Sequence, residues 1–179
     1  MEGTHRESAI FEKSSRKSSR MASILAERDS IGIASFSECR ASETMWAHYA
    51  GEFHGITISY RFKRLVRSTP NDIELVRVTY DDVPPVFLND RMPDTEKARL
   101  ALSTKTLRWG EEREWRLLSP KIGLVHFDDP LTVAGVTIGV RFERKRHLPK
   151  LLNICRKANV KLYEANISGY QLEYTEMAK

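Results

Sequence analysis

The chain has 179 residues, 41% hydrophobic and 30% charged, which suits one folded domain with a real core and excludes a disordered or low-complexity protein. The net charge of +5 is compatible with a polyanionic partner, but acidic residues are interleaved throughout, so it reads as mild attraction to anions and not as a nucleic-acid footprint. No apolar run reaches the ~20 residues of a membrane-spanning helix, no secretory h-region opens the chain, and Cys39 and Cys155 are too few for a disulfide scaffold or a metal-type cluster, so no membrane partner and a reducing cytoplasm are expected.

Residues 1–20 are rich in serine and charge and are expected to form a flexible extension, ahead of a single α+β domain over 21–179. A short helix is expected around Ser18 to Arg28, and "IGIASFS" (Ile31 to Ser37) reads as a strand ending in hydroxyls. "SETMWAHYAGEF" suits a helix with Ser42 as a cap and Met45, Trp46 and Tyr49 at helical spacing. "HGITISYRF" is a second strand opened by a glycine, with Ile56, Ile58 and Tyr60 on one face, and "IELVRVTY" is a third. Two prolines make "DDVPPVFLND" a loop. "DTEKARLALSTKTLRW" looks helical, capped at Asp94 and turning Leu100 and Leu107 inward. "EREWRLLS" returns to strand, and "LTVAGVTIGV" is β-branched enough for a central one. A helix over Leu148 to Ala158 and short strands at "VKLYEA" and "YQLEY" close the chain. This order points to an α+β fold, a mixed or mostly antiparallel sheet covered by a few helices.

The stretch "GEEREWRLLSP" (Gly110 to Pro120) carries the densest candidate chemistry. On a strand, Glu112, Glu114 and Arg116 point to one face and Arg113, Trp115 and Leu117 to the other. Trp115 and Leu117 are the core side, so the acidic face meets water or a cleft. Trp46, Tyr49, Trp109 and Trp115 are expected to be largely buried. The carboxylates either pair with Arg113, Arg116 or a lysine on a neighbouring strand, or they are used. His48 and His54 stand at i, i+6 and share no helical face, so no metal is expected. His48 is read with Trp46 as plugging its helix against the sheet, and His54 as capping the turn before Gly55. Cys39 has no histidine placed to activate it and reads as an inert thiol. "RFERKRH" (Arg141 to His147) could touch phosphates, and a solvated loop feeding a helix explains it as well.

Four patterns occur in order: Phe36-Ser37, Met45-Trp46-x-His48-Tyr49-Ala50, His54-Gly55, and Trp109-x-x-Glu112-x-Glu114-Trp115-Arg116. Together they resemble the bacterial family catalogued as domain of unknown function 2971, from about Ile31 to about Val140. In that family a helix bearing a lysine, here matched by Lys105, precedes the last pattern. Family members usually begin with a Tyr-x-Tyr-Arg strand and carry a later Phe-Asn-Asp-Pro-Phe segment. Neither is found here, so the chain looks like an N-terminally shortened member. The strand Ile31 to Phe36 is then expected to have an under-protected edge.

"SFS" and "EREWRLLSP" are also similar to ADP-ribosyltransferases of the Arg, Ser-x-Ser, Glu-x-Glu type, although the arginine strand has no counterpart. The resemblance implies Glu112 and Glu114 as catalytic carboxylates and Ser35, Ser37, His48, His54 and Arg116 as substrate-binding residues. NAD would be the substrate, or another nucleotide, and a toxin or phage-defence role would follow. Glu114 would stabilise an oxocarbenium-like ribose, and Glu112 would orient or deprotonate the acceptor. The alternatives are a non-enzymatic interaction domain with tryptophan-rich packing motifs, and a nucleic-acid-associated protein using Arg141 to His147. On the functional reading, Glu112 and Glu114 open onto a concave surface with Ser35, Ser37 and His54.

Overall fold

The computed structural model describes residue 19 and residues 21–85, 92–126 and 128–177, and these form an α+β fold. The chain begins with helix α1 (residues 21–30), β1 (Gly32–Ser37), α2 (Glu43–Tyr49), β2 (Ile56–Tyr60) and α3 (Phe62–Ser68). It continues with β3 (Glu74–Arg77), β4 (Thr79–Tyr80), α4 (Asp94–Leu102), β5 (Thr104–Lys105), a 3-10 turn (Leu107–Glu112) and β6 (Glu114–Ser119). A second 3-10 turn (Pro130–Thr132), β7 (Val133–Ile138), α5 (Arg144–Lys157), β8 (Lys161–Ser168) and β9 (Gln171–Glu176) complete it. Two compact units divide the chain: one takes the described residues up to Phe36 with Asp72–Leu124, the other Ser37–Asn71 with Val125 onward. The extension expected over 1–20 lies, apart from Ser19, outside the described residues, as does 86–91 of the proline loop.

The second unit is built on apolar alternation. Its sheet has the order β2-β7-β8-β9, antiparallel at β2/β7 and β8/β9 and parallel at β7/β8. A parallel pair needs a crossover, and α5 supplies it. Leu148, Leu151, Leu152 and Cys155 recur along α5 at helical spacing and pack on Val136, Ile138, Val160 and Leu162. Along β8 the pleat turns Leu162 to that face and Ala165 to the other. There Ala165 and Leu172 meet Trp46 and Ala50, with Phe53 and Tyr174 alongside. The sheet is thus covered by α5 on one face and α2 on the other.

Helix α2 is capped as its sequence demands, the Ser42 side chain accepting from the Met45 N–H at 3.3 Å. Trp46 is 1% exposed; its Nε1 donates to Tyr174 Oη at 3.2 Å, and that hydroxyl donates to the Arg40 carbonyl at 2.5 Å. Gly139 is required where β7 ends: a Cβ there would lie 2.0 Å from the Phe53 carbonyl oxygen. Two expectations fail on this helix. Tyr49 is 61% exposed and His48 is exposed, because both lie on the helix flank away from Trp46, where their rings meet edge-on at 6.2 Å. Ile56 and Ile58 do share a face with Ile138 and Val136, their cross-strand partners. They stay partly exposed because β2 is an edge strand while α5 packs on β7 and β8.

In the first unit β6 runs between β1 and β3, so β1 lies at a sheet edge among the described residues. The register of β3 and β6 sets Leu75 opposite Leu117 and Arg77 opposite Trp115. The strand expected over "IELVRVTY" breaks at Val78, and β4 instead pairs in parallel with β5. The helix expected to continue to Trp109 stops at Leu102, where the Ser103 and Thr104 hydroxyls both bind the Leu100 carbonyl. Leu100 and Leu107 therefore face outward, while Lys97 and Ala98 take the buried positions, Lys97 paired with Asp94 at 2.9 Å. Asp94 is the first helical residue, and Pro93 occupies the cap position.

Trp46→Ala is expected to cost about 3–5 kcal/mol in urea unfolding, because it empties a closed site and removes the Nε1 bond to the Tyr174 hydroxyl. Trp115→Ala, at a half-buried position, should cost clearly less. Equal losses would contradict this placement of the core.

Candidate functional site

The site grows from a short parallel ladder. The Thr79 N–H donates to the Ser103 carbonyl at 2.8 Å and the Asp81 N–H to the Lys105 carbonyl at 2.9 Å. This fixes Lys105 at the end of β5. The chain then winds through the 3-10 turn, entered with the Asp82 carboxylate on the Leu107 N–H at 3.1 Å. It leaves the turn through Arg113, whose φ of 44° is left-handed and uncommon for a residue with a Cβ. That reversal matters. On a straight strand Glu112 and Glu114 would stand ~6.6–7 Å apart. Here both converge on one ammonium, Lys105 Nζ lying 2.5 Å from Glu112 Oε2 and 3.3 Å from Glu114 Oε2.

Arg116, two residues along β6 and on the face of Glu114, closes the set. Its Nε reaches Glu114 Oε1 at 2.8 Å and its Nη2 reaches Oε2 at 3.0 Å, while Nη1 donates to the Leu102 carbonyl at the end of α4. This side-on fork is the strong form of a carboxylate pair. The Glu114 backbone is held too, its N–H donating to Tyr80 Oη at 2.8 Å and its carbonyl accepting from the Val78 N–H at 2.9 Å. Lys105 Nζ stands 5.0 Å from the Trp109 ring centroid, within cation–π reach. Glu112 is 5% exposed and Glu114 6%.

Burial by itself would raise the Glu114 pKa. The Arg116 hydrogen bonds, a hydrogen bond from Ser35 and the charges of Arg116 and Lys105 overcome it and hold the carboxyl below its ordinary value. Burial would likewise lower Lys105, and its bond to Glu112 with the charges of both glutamates raises it instead. Burial lifts Tyr80, and the two carboxylates add to that. At neutral pH Glu114 is a carboxylate and Lys105 an ammonium. Such a carboxylate can face developing positive charge or accept from a hydroxyl, and it has no proton to give.

Four of the residues singled out from sequence therefore meet: Glu112, Glu114, Arg116 and, from exposed β1, Ser35. The environment expected for them is overturned. Glu112 lies in the 3-10 turn and not on the strand, and the acidic face is buried and paired while Trp115 and Trp109 are only half-buried. The compensating lysine and arginine remove the cost that would have kept the carboxylates in water. Lys105 sits on a strand, not on the helix the family pattern implied. Tyr80 was not foreseen, and a tyrosine closing a β-rich run carries no signal of this role. Ser37, His48 and His54 belong to the second unit. Ser37 Oγ accepts from the Cys39 N–H at 2.9 Å, and His54 Nδ1 lies 3.0 Å from the Gly51 carbonyl oxygen, the turn contact expected of it. The loop expected over Arg141 to His147 is shorter, since α5 already begins at Arg144, with Arg144 paired to Glu164 and Arg146 to Glu143. Among the described residues no three metal-ligating side chains gather, and no helix is long and apolar enough to cross a membrane.

Residues 45–117 match the family model described as a protein of unknown function (DUF2971). The match opens at the Met-Trp-x-His-Tyr-Ala helix and ends just past Glu-Trp-Arg, so it takes in Lys105, Glu112, Glu114 and Arg116. It is narrower than the span expected from the motifs and leaves Ser35 outside. No curated protein and no solved structure matches the chain.

Lys105→Met should cost about 3 kcal/mol in urea unfolding, since it strands Glu112 in a nearly dry site. The pH dependence has a definite sign. A carboxyl held below its ordinary value contributes stability that is present above the unfolded pKa, near 4.3, and is lost as pH falls through the folded value. The stability gap between the native chain and Glu114→Gln should therefore be full at neutral pH and shrink on acidification below that point. A gap that stays constant would contradict the charged role of Glu114.

Proposed function

We propose that the DUF2971 segment acts on the ribosyl bond of an NAD-type nucleotide, as an ADP-ribosyltransferase or NAD glycohydrolase. One observation supports this reading above the others. A serine of the Ser-x-Ser strand, Ser35, hydrogen-bonds the second glutamate of the Glu-x-Glu pair, Glu114, while the first, Glu112, stands on the same lysine. The hydroxyl, the paired carboxylates and the held ionisation are what this chemistry uses.

In the reaction the ribose–nicotinamide bond breaks with its electron pair leaving on nicotinamide, and the ribosyl carbon becomes cation-like. Glu114, kept ionised, faces that charge and accepts from a ribose hydroxyl. Arg116 positions Glu114 through its fork. Glu112 takes the proton of the attacking water or acceptor hydroxyl once Lys105 yields it, and the new C–O bond completes the exchange. Consumption of NAD would suit a toxin or phage-defence role, a step that rests on the resemblance alone.

A second reading is a non-enzymatic interaction domain. It is favoured by the balance of the network: two carboxylates and two cations satisfy one another inside the first unit. On this reading the tryptophan-rich motifs serve packing.

The two are separated by measuring NAD turnover and urea unfolding together for the native chain, Glu114→Gln and Glu112→Gln. The enzymatic reading expects turnover by the native chain and a loss of about 100-fold or more in Glu114→Gln at conditions where the variant stays folded. Absence of turnover in the native chain, with a stability loss as the sole effect of Glu114→Gln, would establish the framework role instead.

A further inference from the structure

The second unit carries a cleft of about 480 Å³ lined by Lys63, Arg64, Arg67 and Ser68 of α3 and by Asp128 and Asp129. Its frame is fixed by bonds that do not involve the cleft's cations at positions 63 and 67. Arg61 donates to the Leu131 and Val133 carbonyls at 2.6 and 2.9 Å, and the buried hydroxyls of Ser68 and Thr132 meet at 3.1 Å. Asp129 is held at both oxygens, Oδ1 accepting from the Leu131 N–H at 2.8 Å and Oδ2 from Arg64 at 2.6 Å. Arg64 and the Leu131 amide together hold its carboxyl below the usual range.

Helix α3 holds Lys63, Arg64 and Arg67 and has no acid in its first turn. Lys63 and Arg67 stand four residues apart on one face, a like-charge pair that opposes the helix unless an anion lies between them. Among the described residues neither has an ion-pair or hydrogen-bond partner. The volume falls within the range of small-molecule sites and is far from that of a groove tracking a polymer. Asp128 and Asp129 on the rim also repel a continuous polyanion, while a compact one can meet the three cations and displace Asp129 from Arg64.

We propose that this cleft binds the phosphate groups of a small phosphorylated molecule, with Lys63 and Arg67 as the primary contacts and Arg64 joining them when Asp129 releases it. The site shares no residue with the Lys105 network and does not depend on the reading given to that network.

The test uses inorganic pyrophosphate as the probe, titrated calorimetrically into the full chain. Saturable binding is expected, weakened by about tenfold or more in Lys63→Gln/Arg67→Gln. Asp129→Asn retains an oxygen for the Leu131 N–H and removes the charge that occupies Arg64, so it should tighten binding severalfold. Thermal melting checks that each variant folds, and Asp129→Asn gives an answer should the double variant not. No binding by the native chain, or equal binding by the native chain and the double variant, would overturn the proposal. So would equal binding of sulfate and pyrophosphate, the mark of unspecific charge attraction. A short single-stranded RNA that binds more tightly than pyrophosphate and is not displaced by it would assign the cleft to nucleic acid and likewise overturn it.

Discussion

Lys105 is the group on which the first unit turns. Two carboxylates separated by one residue and taken almost wholly out of water would each be costly to bury and would repel one another. A single ammonium placed on both of them, with Arg116 forked onto the second, converts that liability into a balanced set. The local architecture follows from the need to bring these groups together. Helix α4 must end where Leu102 can give its carbonyl to Arg116, and β5 must run beside β4 long enough to aim Lys105. The chain must then reverse through a left-handed Arg113 so that Glu112 and Glu114 point at one place. Charge, and not apolar periodicity, sets these boundaries.

The second unit obeys a different rule, and that difference governs how much of each could be read in advance. Its helices and strands bury stripes: α5 at i, i+3, i+4 and i+7, β8 by alternation onto two clusters, α2 by Trp46 and Ala50. Such stripes are visible in a sequence, which is why β2, β7, α5, β8 and β9 stand close to where the residues place them. The errors there come from coverage. Ile56 and Ile58 were assigned their shared face correctly, but no sequence pattern says that the covering helix will centre on β7 and β8 and leave the edge strand partly open. Tyr49 was placed inward because aromatic residues usually are, whereas its angle from Trp46 on a seven-residue helix turns it out.

The candidate site was legible in its members and not in its environment. Glu112, Glu114, Arg116 and Ser35 stand out by residue type and spacing. Pairing with Arg116 or a lysine was one of the two outcomes open to the carboxylates and is the one found; what fails is the inference that acids opposite a tryptophan must face water, because these cations compensate the burial of the carboxylates. Their compensation comes from a lysine seven residues earlier on another strand and from a tyrosine more than thirty residues away. Contacts of that range leave no periodic trace in one sequence. Lys105 was found only through its place in a family pattern, and even there the helix assigned to it stopped short, since the hydroxyls of Ser103 and Thr104 bind back to Leu100 and end α4.

The ionisation of the network bears on which chemistry is open to it. A carboxyl used as a general acid needs its pKa raised toward neutrality by burial without a cation nearby. Glu114 has the burial and also has Arg116, Lys105 and Ser35, and the balance falls on the ionised side. That disfavours proton donation by Glu114 and leaves electrostatic stabilisation, the task a fixed carboxylate performs best when it need not reorganise during the reaction. Glu112 differs in its hold. It meets the ammonium of Lys105, a flexible point charge on a four-carbon stem, where Glu114 also has a planar fork. The Glu114 side chain is fixed by the Arg116 fork and its backbone by Tyr80 and Val78, so this carboxylate is held at both ends.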